Sequence, residues 1–483
     1  MRDDLREEKE TSMRRVVLVV PKQHVKTVKM ALERAGKLDK SAKIVPETAV
    51  DEQSSAGEPS MRITTTIPSN EDESQDTDSE EDFKTKVVED LRLTPQSSDI
   101  SLSTSTLSTN TITPHQKNPL HTALQTALSS LPAHILSSLH LTPKSLLTSF
   151  PNNYSIYPPL LLLPHNTLTS PPWHTFLHTY PHTHPLSQSL WSHLASATHT
   201  SHIAVNAPIL PRTTPTGAAN ILRSPLNLTP LYGNFGPAVS PNNPTHSDFA
   251  TALWATSTQN GLHQTWAPLH TMFSRGNMRE KTRVLKLPDI ASNQTVVDMY
   301  AGIGYFAFSY KKAGAGKVVC FEMNGWSVEG LRRGVERNGW SYRIFTGDEV
   351  PRESEVLDAD VDFLIFQTSN AHALRILTRL RKSVPPIRHI NLGLLPDARS
   401  AWRDAAHLLD AREGGCVRVH ENVGAGEIGE RKTEVEGAFR GYLDGSVRRV
   451  RVEVEHVERV KMYAPGVVHC VFDVRVSWED LRG

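Results

Sequence analysis

Between Ile100 and Ser247 the chain has no aspartate or glutamate, and its bases there are Lys117, Lys144, Arg212 and Arg223. A stretch without carboxylates does not repel phosphate, which suits a nucleic acid partner. The same stretch is rich in Ser, Thr, Pro, Leu, His and Asn, and biased codon usage produces such a shift as well. Cysteine is scarce: Cys320, Cys416 and Cys470 are too few and too scattered for a disulfide framework or a zinc cluster. The histidines lack the close-pair spacing of metal ligands, so no metal is expected. No apolar run approaches the ~20 residues of a membrane span. The opening "MRDDLREEKETSMRR" has no apolar core, so it does not read as a secretory signal. The formal net charge of +0 over 483 residues points to no partner by bulk attraction. The expectation is a soluble cytoplasmic protein.

Composition then divides the chain. Residues 1–50 hold "RRVVLVVPKQHVKTVKMALERAG", a β-rich run passing into an amphipathic helix, and read as a small α/β unit. Residues 51–114 include "NEDESQDTDSEED" and "SSDISLSTSTLSTNTIT" and read as a disordered acidic and Ser/Thr-rich insert. Residues 115–265 resume with helical signals and short apolar pieces punctuated by Pro, His and Asn. Residues 266–483 alternate strand and helix, which predicts a doubly wound, mostly parallel α/β sheet of the Rossmann-like kind.

The chemistry concentrates in "VVDMYAGIGYF". A buried strand ends in Asp298 and turns through Gly302 and Gly304, which let the backbone turn tightly and approach a ligand. Glu322 ends the next strand, "VVCFEMN", where an acid binds ribose hydroxyls. Asp348, in "FTGDE", ends the strand after that. Acids at three successive strand ends suit S-adenosylmethionine better than a dinucleotide: the ribose and adenine amino group are donors, and no pyrophosphate demands G-x-G-x-x-G. The expected fold is that of a class I S-adenosylmethionine-dependent methyltransferase.

Directly before the first strand lies the charged run "HTMFSRGNMREKTRV", which a cofactor loop does not need. Together with "YAGIGYF", "FEMN", "HINLGLLP" and "RVKMYAPGVVH" it resembles the wybutosine-synthesizing protein 2 family, the eukaryotic tRNA aminocarboxypropyltransferases, in a fungal form. That resemblance implies transfer of the 3-amino-3-carboxypropyl group of S-adenosylmethionine to carbon 7 of 4-demethylwyosine. The substrate would be tRNA(Phe), next to the anticodon, and methylthioadenosine would be released. Residues 115–265 become a tRNA-recognition region and residues 266–483 the catalytic domain. The positions matching Ser274, Lys281, Glu322, Asp348 and Glu349 are implied to touch the cofactor, with Asp298, Gly302 and Gly304 shaping its site.

The reaction needs the amino acid tail turned toward the substrate, so a cation that grips its carboxylate is expected, with Lys281, Arg275 and Arg283 as candidates. Arg283 also reads as a partner of Glu280 or of RNA phosphate. Asn391 in "NLGLLP" is expected at the edge of the base. His420 and Glu421 in "VRVHENV" read as supports rather than catalysts. "VDFLIFQ" and "IRHINLG" both qualify as the fourth strand. Two rivals stand beside this reading: a tRNA guanosine N1-methyltransferase, and a non-catalytic tRNA-binding protein on the same fold.

Overall fold

The computed structural model describes residues 14–39, 44–46, 60–68, 85–93, 100–106, 118–209, 212, 220, 222–225, 227–236, 244–347, 349–357, 360–445 and 449–478. By contacts the chain divides into Met1–Lys117 and Asn118–Gly483.

In the first unit, β1 (Arg14–Pro21), β2 (Val45–Pro46), β3 (Ser60–Pro68) and β4 (Ser101–Thr106) form an antiparallel sheet in the order β2-β3-β1-β4. The expected disordered insert therefore contains two strands that pair with β1. Its apolar punctuation explains them. Ile63, Val87, Leu91 and Ile100 are buried against Val16, Leu18, Val28 and Leu32. An average over a polar window hides so few anchors, and Ser/Thr runs are compatible with strands. The acidic run itself lies outside the described residues.

The second unit opens with helices that lack acidic first turns. They start instead with proline, which needs no amide partner: Pro119–Ser129, Pro143–Thr148, Pro171–Thr179 and Pro185–Ala197. Asn118, Thr142 and His184 accept the cap hydrogen bonds. These helices pack on a sheet of β5 (Ser155–Tyr157), β6 (Leu160–Leu163), β7 (His202–Val205) and β8 (Thr229–Tyr232), around Trp173 and Trp191 stacked at 5.9 Å. A hairpin follows, β9 (Ala255–Gln259) and β10 (Leu262–Trp266). No contact boundary falls at 265/266, because β10 lies against the helix Gly325–Arg337. A Cβ on Gly330 would sit 2.6 Å from the Thr265 carbonyl, and the His263 amide donates to Asn338 Oδ1 at 2.9 Å.

The main sheet contains β11 (Thr295–Asp298), β12 (Lys317–Phe321), β13 (Tyr342–Thr346), β14 (Phe363–Gln367), β15 (Ile387–Leu392), β16 (Gly415–Gly424), β17 (Val450–Ala464) and β18 (Val467–Trp478). Its order is β13-β14-β12-β11-β15-β16-β18-β17, parallel through β16 and antiparallel beyond. Helices cover both faces, so β11, β12 and β14 are continuous apolar runs. Both candidate fourth strands exist. β15 lies beside β11, while β14 inserts between β12 and β13. The helix Ile428–Tyr442, absent from the sequence reading, packs on this sheet through Val435 and Phe439.

A buried ionic cluster joins the charged run to this sheet. Arg283, on the helix Met278–Val284, bonds Asp473 at 2.5 and 2.9 Å and Glu280 at 2.7 and 2.8 Å. Asp473 also faces the fully buried Arg418, at 3.7 Å. The other side of Arg418 donates to His389 Nδ1 at 3.1 Å. Burial holds His389 down to about pKa 4, so it is neutral, and its Nε2–H donates to the Asp289 carbonyl. Asp473→Asn takes a carboxylate from the buried Arg418 and the partly buried Arg283, and breaking such a cluster costs roughly 3–5 kcal/mol. Chemical denaturation should show that loss. An unchanged midpoint would mean the cluster does not hold the helix to the sheet.

Candidate active site

The site forms where β11 and β12 end. Asp298 closes β11 with no exposure, and the register sets Asn391 of β15 beside it, so Asn391 Nδ2 donates to Asp298 Oδ1 at 3.0 Å. Burial raises the Asp298 carboxyl to about pKa 6 against the opposing pull of that hydrogen bond. The chain then turns through Gly302 (φ 54°) and Gly304 (φ 91°). Glycine is required at Gly304, where a Cβ would lie 2.5 Å from the Phe308 ring.

Glu322, one residue beyond β12, bridges two loops. Its Oε2 accepts the Gly302 amide at 2.9 Å and its Oε1 the Asn324 amide at 2.7 Å. Burial raises its pKa, and the amides oppose that. Each oxygen keeps acceptor capacity for the cavity it borders. That cavity, about 260 Å³, is walled by Ser274 and Asn277, by Gly302 and Glu322, by Phe306, Phe321 and Met323, and by Thr368, Ser369 and Asn370. Gly393, Leu394 and Leu395 of "NLGLLP" close another side, and two cations, Arg223 and Lys461, complete it. Arg223 donates to the Leu395 carbonyl.

The charged run reaches this cavity through Ser274 and Asn277. The Ser274 amide donates to the Tyr305 hydroxyl at 3.2 Å, and that hydroxyl donates to the Met272 carbonyl. Lys281 takes another position. It is 3% exposed, donates to Gln259 Oε1 at 2.8 Å, and lies 5.1 Å over the Tyr305 ring, behind the cavity wall. Burial, then the charge of Lys461, lowers it to about pKa 8. Arg275 points away, to Ser155 Oγ at 3.0 Å.

Of the residues expected from sequence, Ser274, Gly302 and Glu322 border the cavity, and Gly304 makes its turn. Asp298 and Asn391 are buried beneath it, where Asn391 donates to Asp298. Lys281 backs Tyr305. Glu349 is exposed past the edge strand β13, and Asp348 lies outside the described residues. The insertion of β14 explains the displacement of Glu349: the strand tip beside Glu322 is Thr368-Ser369-Asn370, not "GDE". One sequence signal bears on that order, since "FLIF" is unbroken apolar, as an interior strand is, while "YRIFT" is interrupted by Arg343 and ends in Thr346. Arg223 and Lys461 come from distant segments and carry no local signal. His420 is buried edge-on to Phe306 and paired with His469 at 3.1 Å, and Glu421 is tied to Arg431 at 3.0 Å. Neither borders the cavity. Among the described residues no cluster of three His, Cys, Asp or Glu could hold a metal, and no described helix is long and apolar enough to cross a membrane.

A parallel sheet with a glycine turn after its first strand and an acid at the tip of the second is the arrangement of a class I S-adenosylmethionine-dependent transferase. Residues 256–372 match the TRM5/TYW2 methyltransferase domain. The chain is 38% identical over 341 residues to tRNA wybutosine-synthesizing protein 2 of Schizosaccharomyces pombe, covering 71% of this chain and 76% of that one. It is 32% identical over 403 residues to the Saccharomyces cerevisiae protein of the same name, covering 75% and 82%. A solved structure, P. horikoshii TYW2 in complex with MeSAdo, is 18% identical with a TM-score of 0.46, over 74% of this chain and 99% of that one. The chain belongs to the tRNA wybutosine-synthesizing protein 2 family.

The cavity fits S-adenosylmethionine: a carboxylate for ribose hydroxyls, apolar walls for a purine, and cations for a carboxylate. On a bound ribose the Glu322 carboxylate would make charge-assisted bonds worth roughly 1.5–3 kcal/mol each, which Glu322→Ala removes. Calorimetry should show cofactor affinity falling at least about tenfold, with Lys281→Met within about threefold of the parent. The reverse ranking would put Lys281, not Glu322, in the site.

Proposed function

We propose that the cavity seats S-adenosylmethionine with Glu322 at its ribose and with Arg223 and Lys461 at the carboxylate of its amino acid tail. As a member of its family the chain is an S-adenosylmethionine-dependent aminocarboxypropyltransferase of wybutosine biosynthesis. Its substrate is the 4-demethylwyosine of tRNA(Phe), beside the anticodon, in the cytoplasm. Carbon 7 of that base receives the 3-amino-3-carboxypropyl group, and methylthioadenosine leaves.

The sulfonium of the bound cosubstrate activates three carbons, and the one in line with the nucleophile at ~3–3.5 Å reacts. The protein's part is therefore orientation. Glu322 fixes the nucleoside end through a carboxylate already held by two amides. Arg223 and Lys461 favour a tail turned toward them over one folded elsewhere, which selects the tail carbon over the methyl. Tyr305 holds the Ser274 segment in the wall. The target ring is electron-rich, so alignment supplies much of the rate: the new bond to carbon 7 forms as the sulfur–carbon bond of the tail breaks, and the carbon 7 proton then passes to solvent. The observation that carries this reading is the pair of cations on the cavity wall, drawn from segments far apart in the chain.

The rival N1-methyl transfer predicts a different product. Nucleoside mass spectrometry of tRNA lacking this modification step, after incubation with the protein and S-adenosylmethionine, should show the aminocarboxypropyl adduct; a methyl adduct would overturn the reading. Methylthioadenosine lacks the tail carboxylate and separates the charges. Lys461→Met should weaken S-adenosylmethionine about tenfold and leave methylthioadenosine affinity unchanged. Equal losses for both ligands would remove Lys461 from the tail.

A further inference from the structure

The hairpin that carries Lys461 ends in large apolar side chains left in solvent. Met462 and Tyr463 are each 61% exposed, the highest values among the exposed large hydrophobic residues described. The strand delivers them through two irregularities. β17 pairs Arg459 with Cys470, Lys461 with His469, Met462 with Val468 and Ala464 with Val467. Val460 and Tyr463 are thus extra residues, and such bulges re-aim side chains beside active sites. The tip is also held firmly. Pro465 and Gly466 make the two-residue turn, Gly466 at φ 76°, and the Gly466 carbonyl accepts the Ala425 amide at 2.9 Å.

The exposed ring lies at a telling place. Lys461, two residues before Tyr463, is part of the cavity wall, and the Tyr463 phenol lies in the neighbourhood of the Arg223 guanidinium. Arg223 in turn grips the Leu395 carbonyl of the loop that closes the cavity. Tyr463 therefore stands at the cationic end. By the reading above, that end holds the tail whose carbon is transferred, so the receiving base must approach there.

Resting on that reading, we propose that Tyr463, with Met462 beside it, is the platform on which the target base of the tRNA stacks for transfer. A flat tricyclic base offers a large π-face, and aromatic side chains bind bases through that face. The neighbouring cations suit the polyanionic partner, and the surface is continuous with the cavity. The hairpin sets the height of the base above the cosubstrate, and the bulge sets the plane of the ring.

The test uses the full chain and tRNA lacking this modification step. Transfer kinetics, tRNA affinity and S-adenosylmethionine affinity are measured for the parent, Tyr463→Ala and Tyr463→Phe. Base–aromatic stacking predicts that kcat/KM falls about 10- to 100-fold in Tyr463→Ala. Tyr463→Phe, which keeps the ring, should stay within about twofold. S-adenosylmethionine affinity should be unchanged in both, and tRNA affinity should fall in Tyr463→Ala alone. Parental kcat/KM in Tyr463→Ala, an equal loss in Tyr463→Phe, or a loss of cosubstrate affinity overturns the proposal. A parent that forms no aminocarboxypropyl product overturns the functional reading and this proposal with it; a parent that forms it beside an equally active Tyr463→Ala overturns the proposal alone.

Discussion

The carboxylate of Glu322 is the constraint from which the site is built. One oxygen holds the amide of the glycine turn after β11, the other the amide that starts the next helix. Two loops from adjacent strands are thereby fixed to one charged group. The group reaches that position because β11 and β12 are parallel and in register, Asp298 beside Cys320, which sets Glu322 just past the strand tips. A carboxylate half withdrawn from water is costly unless hydrogen-bonded, and the two amides meet that need. They also aim its remaining lone pairs into the cavity. Asp298 and Asn391 repeat the pattern one strand over, beneath the surface, where they stiffen the turn.

The charged run before β11 is explained by division of labour. Arg283 and Glu280 belong to the cluster with Asp473 and Arg418, which fastens the helix Met278–Val284 to β16 and β18. Lys281 lies behind Tyr305 against two glutamine side chains. With the helix anchored on one side and Tyr305 on the other, Ser274 and Asn277 are left in the cavity wall. Most of the charge in this run is architecture, and its functional consequence is the position of two neutral side chains.

The same division of labour decides what the sequence itself reveals. The β11 turn and Glu322 were legible because their signals are local: a buried strand, a glycine turn, and an acid at the right distance. The sheet was legible as alternating strands and helices, but its order leaves only a faint mark, the unbroken apolar run of β14 beside the more polar β13. Spacing alone cannot say that β14 inserts between β12 and β13, and that insertion moves Glu349 away from the cavity and brings Asn370 to it. Lys281 and Lys461 show the converse limit. Both are single lysines in amphipathic segments. Only packing decides that the one beside the motif is buried behind a tyrosine, and that the one near the C-terminus, re-aimed by a bulge, faces the cavity.

In the function we propose, the cavity's cations turn the tail, not the methyl group, toward the base. The by-product reports this most directly. With S-adenosylmethionine and competent tRNA, chromatography of the spent nucleosides should show methylthioadenosine accumulating in step with modified tRNA, with no S-adenosylhomocysteine. S-adenosylhomocysteine accumulating in step with tRNA modification would contradict the account.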